Sequence, residues 1–108
     1  MGIYNTMRLI LMFDLPSIEA YEKKEYLLFR KALLSHGYIM MQFSIYTKFI
    51  NVQTKVESEI NKIKKFIPTN GNIRVIAITE KQYQDMYVIL GHKKISEIYN
   101  SKERYIKV

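Results

Sequence analysis

The sequence predicts an α+β fold of the split βαβ, or ferredoxin-like, type. Three observations point to it. Met7–Phe13 and Ile73–Thr79 are apolar on both parities, as in strands buried on both faces. Two stretches with helical spacing separate the strand-like runs. The resulting order, strand–helix–strand–strand–helix–strand, places two helices on one face of an antiparallel sheet.

The elements follow in order. The first strand, Met7–Phe13, ends in Asp14 and a Leu15-Pro16 turn. Ser17 is the expected N-cap of a helix over Ile18–Ser35, whose inner face is predicted to hold Ile18, Tyr21, Leu28, Phe29, Ala32 and Leu33. Gly37 ends it, with His36 near its negative pole. Tyr38–Thr47 is β-branched and aromatic but too long for one strand, so two strands with a bend or bulge near Gln42 are expected. The second helix, Val52–Phe66, shows a stripe of Val52, Val56, Ile60, Ile63 and Ile67. Pro68–Gly71 is a turn, and Ile73–Thr79 is the fourth strand. Beyond it, Glu80–Met86 reads as a short helix, Tyr87–Leu90 as a short strand closed by Gly91, and Glu103–Val108 as an edge strand. The 108 residues form one domain, with a core over about 7–79 and a C-terminal extension over 80–108 for dimer or partner contacts. Helices cover one face of the sheet only, so the other needs a lid. A two-fold homodimer, sheet packed on sheet, would supply it.

Composition narrows the chemistry. There are no cysteines, which removes disulfides, thiolate metal sites and cysteine nucleophiles and fits a reducing cytoplasm. No apolar stretch reaches the ~18 residues that span a bilayer, and Met1–Thr6 carries no signal-peptide pattern. The expectation is a cytoplasmic protein without a membrane partner. Formal net charge is +7, with six Lys+Arg against four Asp+Glu up to Thr54 and eleven against six beyond it. That spread predicts a positive face rather than a basic tail, and a positive field favours nucleic acid. Within it Asp14 stands alone at a strand exit. It either holds a cation for work on a phosphodiester or caps the Leu15-Pro16-Ser17 turn.

The chain resembles one family. The pieces that carry the resemblance are Met7–Pro16, Phe29-Arg30-Lys31, Leu33–Met40, Gln42–Tyr46, Gly71-Asn72-Ile73 and Ile78–Gln82, in order and at matching spacing, with a weaker match at Glu103-Arg104. By these it is similar to the small CRISPR-associated adaptation proteins, the Cas-two family, and above all to their type II-A branch. The resemblance implies a ferredoxin-like homodimer in complex with the Cas-one integrase. Its role would be to capture foreign DNA as a prespacer duplex and bridge integrase subunits while new spacers are inserted. It also implies, for some members, a Mg²⁺-dependent ribonuclease or deoxyribonuclease with the metal at the acid matching Asp14, which is the expected metal and catalytic residue here.

Two Asp14 side chains near a dimer axis would let one Mg²⁺ bridge them and activate a water. Arg30 and Lys31, with Lys62, Lys64 and Lys65, are the expected nucleic-acid surface. It would grip the backbone without reading sequence. Glu103, Arg104, Tyr105 and Ile106 are the expected partner-facing edge. Ser44 and Tyr46 either line the dimer cleft or pack as ordinary strand residues, and His92 is expected to be solvated. Two other classes stand beside the scaffold reading: an autonomous metal-dependent endoribonuclease, and a toxin-type or regulatory ferredoxin-like module.

Overall fold

The computed structural model describes residues 6–92. Its elements are β1 (Met7–Asp14), α1 (Ala20–Ser35), β2 (Ile39–Gln42), β3 (Ile45–Ile50), α2 (Val56–Ile63), β4 (Asn72–Thr79) and α3 (Glu80–Gln84), with a 3₁₀ turn at Gln53–Lys55 before α2. The sheet runs β2-β3-β1-β4 with every ladder antiparallel, which is the expected ferredoxin-like order. No helix among the described residues is long and apolar enough to cross a membrane.

Strand alternation explains how the core is built. Leu9, Leu11 and Phe13 of β1 point to the helical side and cluster with Phe29 and Leu33 of α1, Ile63 of α2, and Tyr46 and Ile50 of β3. Phe13 is the hub, with ring centroids 5.3 Å from Phe29 and 5.8 Å from both Tyr26 and Tyr46. The rings of Phe29 and Tyr26 meet Phe13 edge to face and Tyr46 stacks on it, and such aromatic pairs add about 0.5–1.5 kcal/mol each beyond area burial.

The helices differ from the sequence reading in where they start, stop and face. α1 begins at Ala20, not Ile18, and its N-cap is Glu19 in place of the expected Ser17. Glu22 supplies the reason, since its carboxylate accepts the backbone N–H groups of Ile18 and Glu19 and closes a capping box. The buried face centres on Phe29 and Leu33, while Ile18, Tyr21 and Leu28 are exposed (84, 54 and 56%). Ile18 precedes the helix, and Tyr21 and Leu28 lie about a quarter turn from Phe29, beyond the arc the sheet covers. α2 stops at Ile63 rather than Phe66, because the last turn tightens into i→i−3 bonds from Lys65 to Lys62 and from Phe66 to Ile63.

The bend expected near Gln42 is present as a register shift between Met40 and Gln42, and the hairpin turns at Ser44 with φ of 64°. Among the described residues Tyr87–Leu90 forms no strand and pairs with no ladder, and Tyr87, Ile89 and Leu90 are more than nine-tenths exposed. The edge strand expected at Glu103–Val108 lies outside the described residues.

Buried charge is organised in two places. Glu59 on α2 accepts from Lys48 (2.9 Å) and Lys62 (3.4 Å). Burial pushes its carboxyl up, but the hydrogen bonds and charges of the two lysines outweigh this and hold it below the usual range. On the sheet face away from α1 and α2, Arg8 is fully buried. Its guanidinium donates from Nε and Nη2 to both carboxylate oxygens of Glu80 (2.9 and 2.8 Å) and stacks 4.1 Å over the Tyr83 ring. Thr79 caps α3 through a capping box with Gln82, and the chain reverses there so that α3 lies over the Arg8 end of that face. The pair is thus the anchor of α3. Removing one partner of a buried pair leaves the other charge uncompensated. Arg8→Ala is therefore expected to cost about 3 kcal/mol or more in urea unfolding. An Arg8→Met/Glu80→Leu double variant, read in the same denaturation curves, should restore most of the loss.

Candidate functional site

β1 delivers Asp14 to the rim of the sheet. Strand parity puts it with Ile10 and Met12 on the face away from α1 and α2, opposite Asn72 in the β1–β4 ladder. The turn that follows is set by close packing. Gly71 adopts φ of +120°, and a Cβ there would lie 2.5 Å from Leu15 Cδ2 and 2.9 Å from the Asp14 carbonyl oxygen. Only glycine fits, so β4 begins tight against the exit of β1. The Asp14 side chain is exposed and makes no hydrogen bond or ion pair among the described residues, so it does not cap the turn. That leaves the carboxylate available to a ligand.

Two depressions meet at Asp14. The larger, about 700 Å³, lies between α1 and the β2–β3 hairpin and includes Ser17, Lys23, Tyr26, Arg30, Ser44 and Tyr46 in its lining. Arg30 Nε donates to the Tyr46 hydroxyl (2.9 Å), which fixes the guanidinium at the wall. The smaller, about 290 Å³, lies on the open sheet face and is lined by Met12, Phe13, Asp14, Asn72 and Arg74.

The basic residues expected at the site are divided. Arg30 joins Asp14 in the larger cleft, whereas Lys64 lines a separate apolar groove of about 490 Å³ with Ile60, Ile67 and Ile73. Lys62 is shared with Glu59, while Lys31, Lys64 and Lys65 are exposed and make no ion pair among the described residues. Glu103, Arg104, Tyr105 and Ile106 lie outside the described residues.

Sequence reasoning left out Lys23, Tyr26, Asn72 and Arg74. The signal for the first two was present, since Lys23, Tyr26 and Arg30 recur at i, i+3, i+7 on α1. The signal for the others was the strand alternation that gives Asn72 and Arg74 one face of β4, together with a ladder register that sequence does not print.

The residues bear on a cation as follows. No group of three or more His, Cys, Asp or Glu comes together among the described residues, so one chain provides no all-protein cage. What Asp14 does fit is Mg²⁺, which keeps several waters and is held by one or two carboxylates with substrate phosphates completing the shell.

The comparisons agree with this architecture. The family model described as "CRISPR associated protein Cas2" matches residues 7–86. The chain is 44% identical to a CRISPR-associated endoribonuclease Cas2 of Ligilactobacillus salivarius, over 93% of this chain and 98% of that protein. It is 43% identical to one of Streptococcus mutans, over 93% and 91%. A solved structure titled "Crystal structure of cas2" superposes with a TM-score of 0.56 at 14% identity, covering 83% of this chain and 92% of that one, a likeness of fold. With the family model spanning the whole sheet-and-helix core and relatives matching nearly end to end, the chain belongs to the CRISPR-associated Cas2 family.

Proposed function

We propose that this chain acts as a homodimeric scaffold in CRISPR adaptation, holding prespacer duplex DNA and bridging Cas-one integrase subunits during spacer integration. The observation that carries this reading is a division of surfaces. The open sheet face is largely apolar and only partly covered, since Ile10 and Thr47 are buried but Ile76 is half exposed and Met12 37% exposed. Lys31, Lys64 and Lys65, exposed and in no ion pair among the described residues, lie outside it on and after the two long helices, as does Arg30. The apolar face suits a second copy, and the cations suit a polyanion. Their contacts neutralise phosphates without reading bases, which is what a capture protein for arbitrary DNA requires. On this reading the integrase supplies strand-transfer chemistry, and Glu103–Ile106 faces it.

A second reading, metal-dependent endoribonuclease activity, is favoured by the exposed carboxylate of Asp14, unpaired among the described residues, and by relatives named as endoribonucleases. Mg²⁺ bound there would supply a water activated for attack on phosphorus. Asp14 would hold it, the buried strand would fix the carboxylate, and a second Asp14 would come from the other copy.

Two experiments separate these. In a duplex-DNA binding titration between about 50 and 200 mM salt, affinity of the wild type should fall steeply, as counterion release requires. Reversing Arg30, Lys31, Lys64 and Lys65 to Glu together should abolish binding and spacer integration while leaving the dimer intact, and unchanged binding would reject the scaffold surface. Asp14→Ala should leave integration with the cognate integrase near wild type and reduce any Mg²⁺-dependent RNA cleavage to background. Loss of integration with an intact dimer would move Asp14 into the adaptation chemistry itself.

A further inference from the structure

We propose that the cleft between α1 and the β2–β3 hairpin binds a single nucleotide, with the base against Phe43 and Tyr26 and the phosphate on Lys23 and Arg30. The site lies on the helical side of the sheet, away from the face given to the second copy. It needs no cation, and Arg30 is the residue it shares with the duplex surface. The ligand is one base with its phosphate, supplied either free or as an unpaired nucleotide at the end of a strand.

The cleft has the size and the lining of a small-molecule site. At about 700 Å³ it falls within the roughly 300–1,000 Å³ of such sites, which are mostly apolar with a few placed polar groups. Phe43 is a part of this wall with no place in the core, since it is 81% exposed. With Ser44 it makes a two-residue turn between the paired Gln42 and Ile45. Ser44 is left-handed, with φ of 64°, a conformation that costs a residue other than glycine. The Phe13 N–H donates to the Ser44 carbonyl (3.1 Å) and ties the turn to β1. A strained and tethered turn thus holds an aromatic ring at the edge of the cleft instead of burying it. Rings presented in this way are what unpaired bases stack on, whatever the base.

The cations complete the site. Lys23 and Arg30 stand seven residues apart on the stripe of α1 that also carries Tyr26, about 10 Å along the helix axis. Arg30 donates from Nε to the hydroxyl of the buried Tyr46, which stacks on Phe13, so the guanidinium is fixed and its terminal N–H groups remain for an anion. Neither cation has a carboxylate partner among the described residues. Asp14 lies where this cleft meets the smaller depression, and its charge repels a phosphate there and keeps it toward α1. A bare phosphate would use the cations and leave the aromatic wall empty. A hydrocarbon chain would use the wall and leave the cations idle. A nucleotide uses both.

The test uses the full chain in EDTA, so that no cation at Asp14 takes part. Wild type, Phe43→Ala and Lys23→Ala are titrated by nitrogen-15 NMR with adenosine 5′-monophosphate, adenosine and inorganic phosphate, and thermal unfolding confirms that each variant is folded. The monophosphate should bind the wild type more tightly than either fragment and shift the Arg30 Nε–H signal and the Phe43 and Ser44 amides. Phe43→Ala should weaken the monophosphate and adenosine about tenfold and leave phosphate unchanged. Lys23→Ala should weaken the monophosphate and phosphate about fivefold and leave adenosine unchanged. A second arm compares a blunt DNA duplex with one carrying a single unpaired 3′-nucleotide. Monophosphate binding without a gain from the flank assigns the site to a free nucleotide. A gain that Phe43→Ala removes, without monophosphate binding, assigns it to strand ends. If Phe43→Ala changes neither monophosphate binding nor the preference for the flanked duplex, the proposal is overturned. A monophosphate bound no more tightly than phosphate, with no gain from the flank, would reduce the cleft to an anion patch and overturn it too.

Discussion

Two helices cannot cover two faces of one sheet. Every other feature of this chain follows from that constraint. α1 and α2 bury the Leu9–Leu11–Phe13 side of β1, and among the described residues only the short α3 is left for the other side. The chain places α3 over one end of that side, with Arg8, Glu80 and Tyr83 as the clasp. A buried ion pair is an expensive way to hold a helix, since desolvation offsets much of the Coulomb attraction. Its return is in direction. The bidentate geometry fixes where α3 lies and hence where the exposed Tyr87–Leu90 run departs from the fold. Met12 and Ile76 on the rest of the face stay exposed, and apolar surface that is left exposed on a domain this small calls for a partner.

The same strand that organises the core organises the chemistry. β1 is hydrogen-bonded on both sides, so its residues are among the best fixed in the molecule. Its odd positions make the core. Its even positions run from the buried Arg8 at one end to the exposed Asp14 at the other. A carboxylate carried on such a strand needs little reorganisation to hold a cation, and the glycine at position 71 keeps the neighbouring strand entry pressed against it. On the reading proposed above, this rigidity serves an otherwise positive protein that grips nucleic-acid backbone.

Most of the fold was legible because its signals were local and periodic. Met7–Phe13 and Ile73–Thr79 read as buried strands, the Met40–Gln42 irregularity followed from an overlong β run, and Glu80–Met86 read as the short helix that α3 is. Errors arose where several local signals competed. Ser17 looked like an N-cap, yet Glu19 with Glu22 closed a better one. α1 has more apolar residues than its sheet-facing arc can hold, so no periodicity argument could tell Tyr21 from Phe29. Asp14 stood out as a lone acid ending an apolar run. Arg74 did not, because what distinguishes it is the diagonal to Asp14 across the ladder. Nor could sequence reveal that Arg8 meets a carboxylate 72 positions away.

The central claim is that the bare sheet face is where a second copy binds. Ile76 tests it most directly. It sits mid-strand on that face, and at 51% exposure its replacement should not disturb the fold of a single chain. The measurement is sedimentation equilibrium of Ile76→Arg beside the wild type, with thermal unfolding to confirm that the variant is folded. The account predicts a folded monomer where the wild type is a dimer. A folded variant that dimerises as tightly as the wild type would show that association uses another surface and would contradict it.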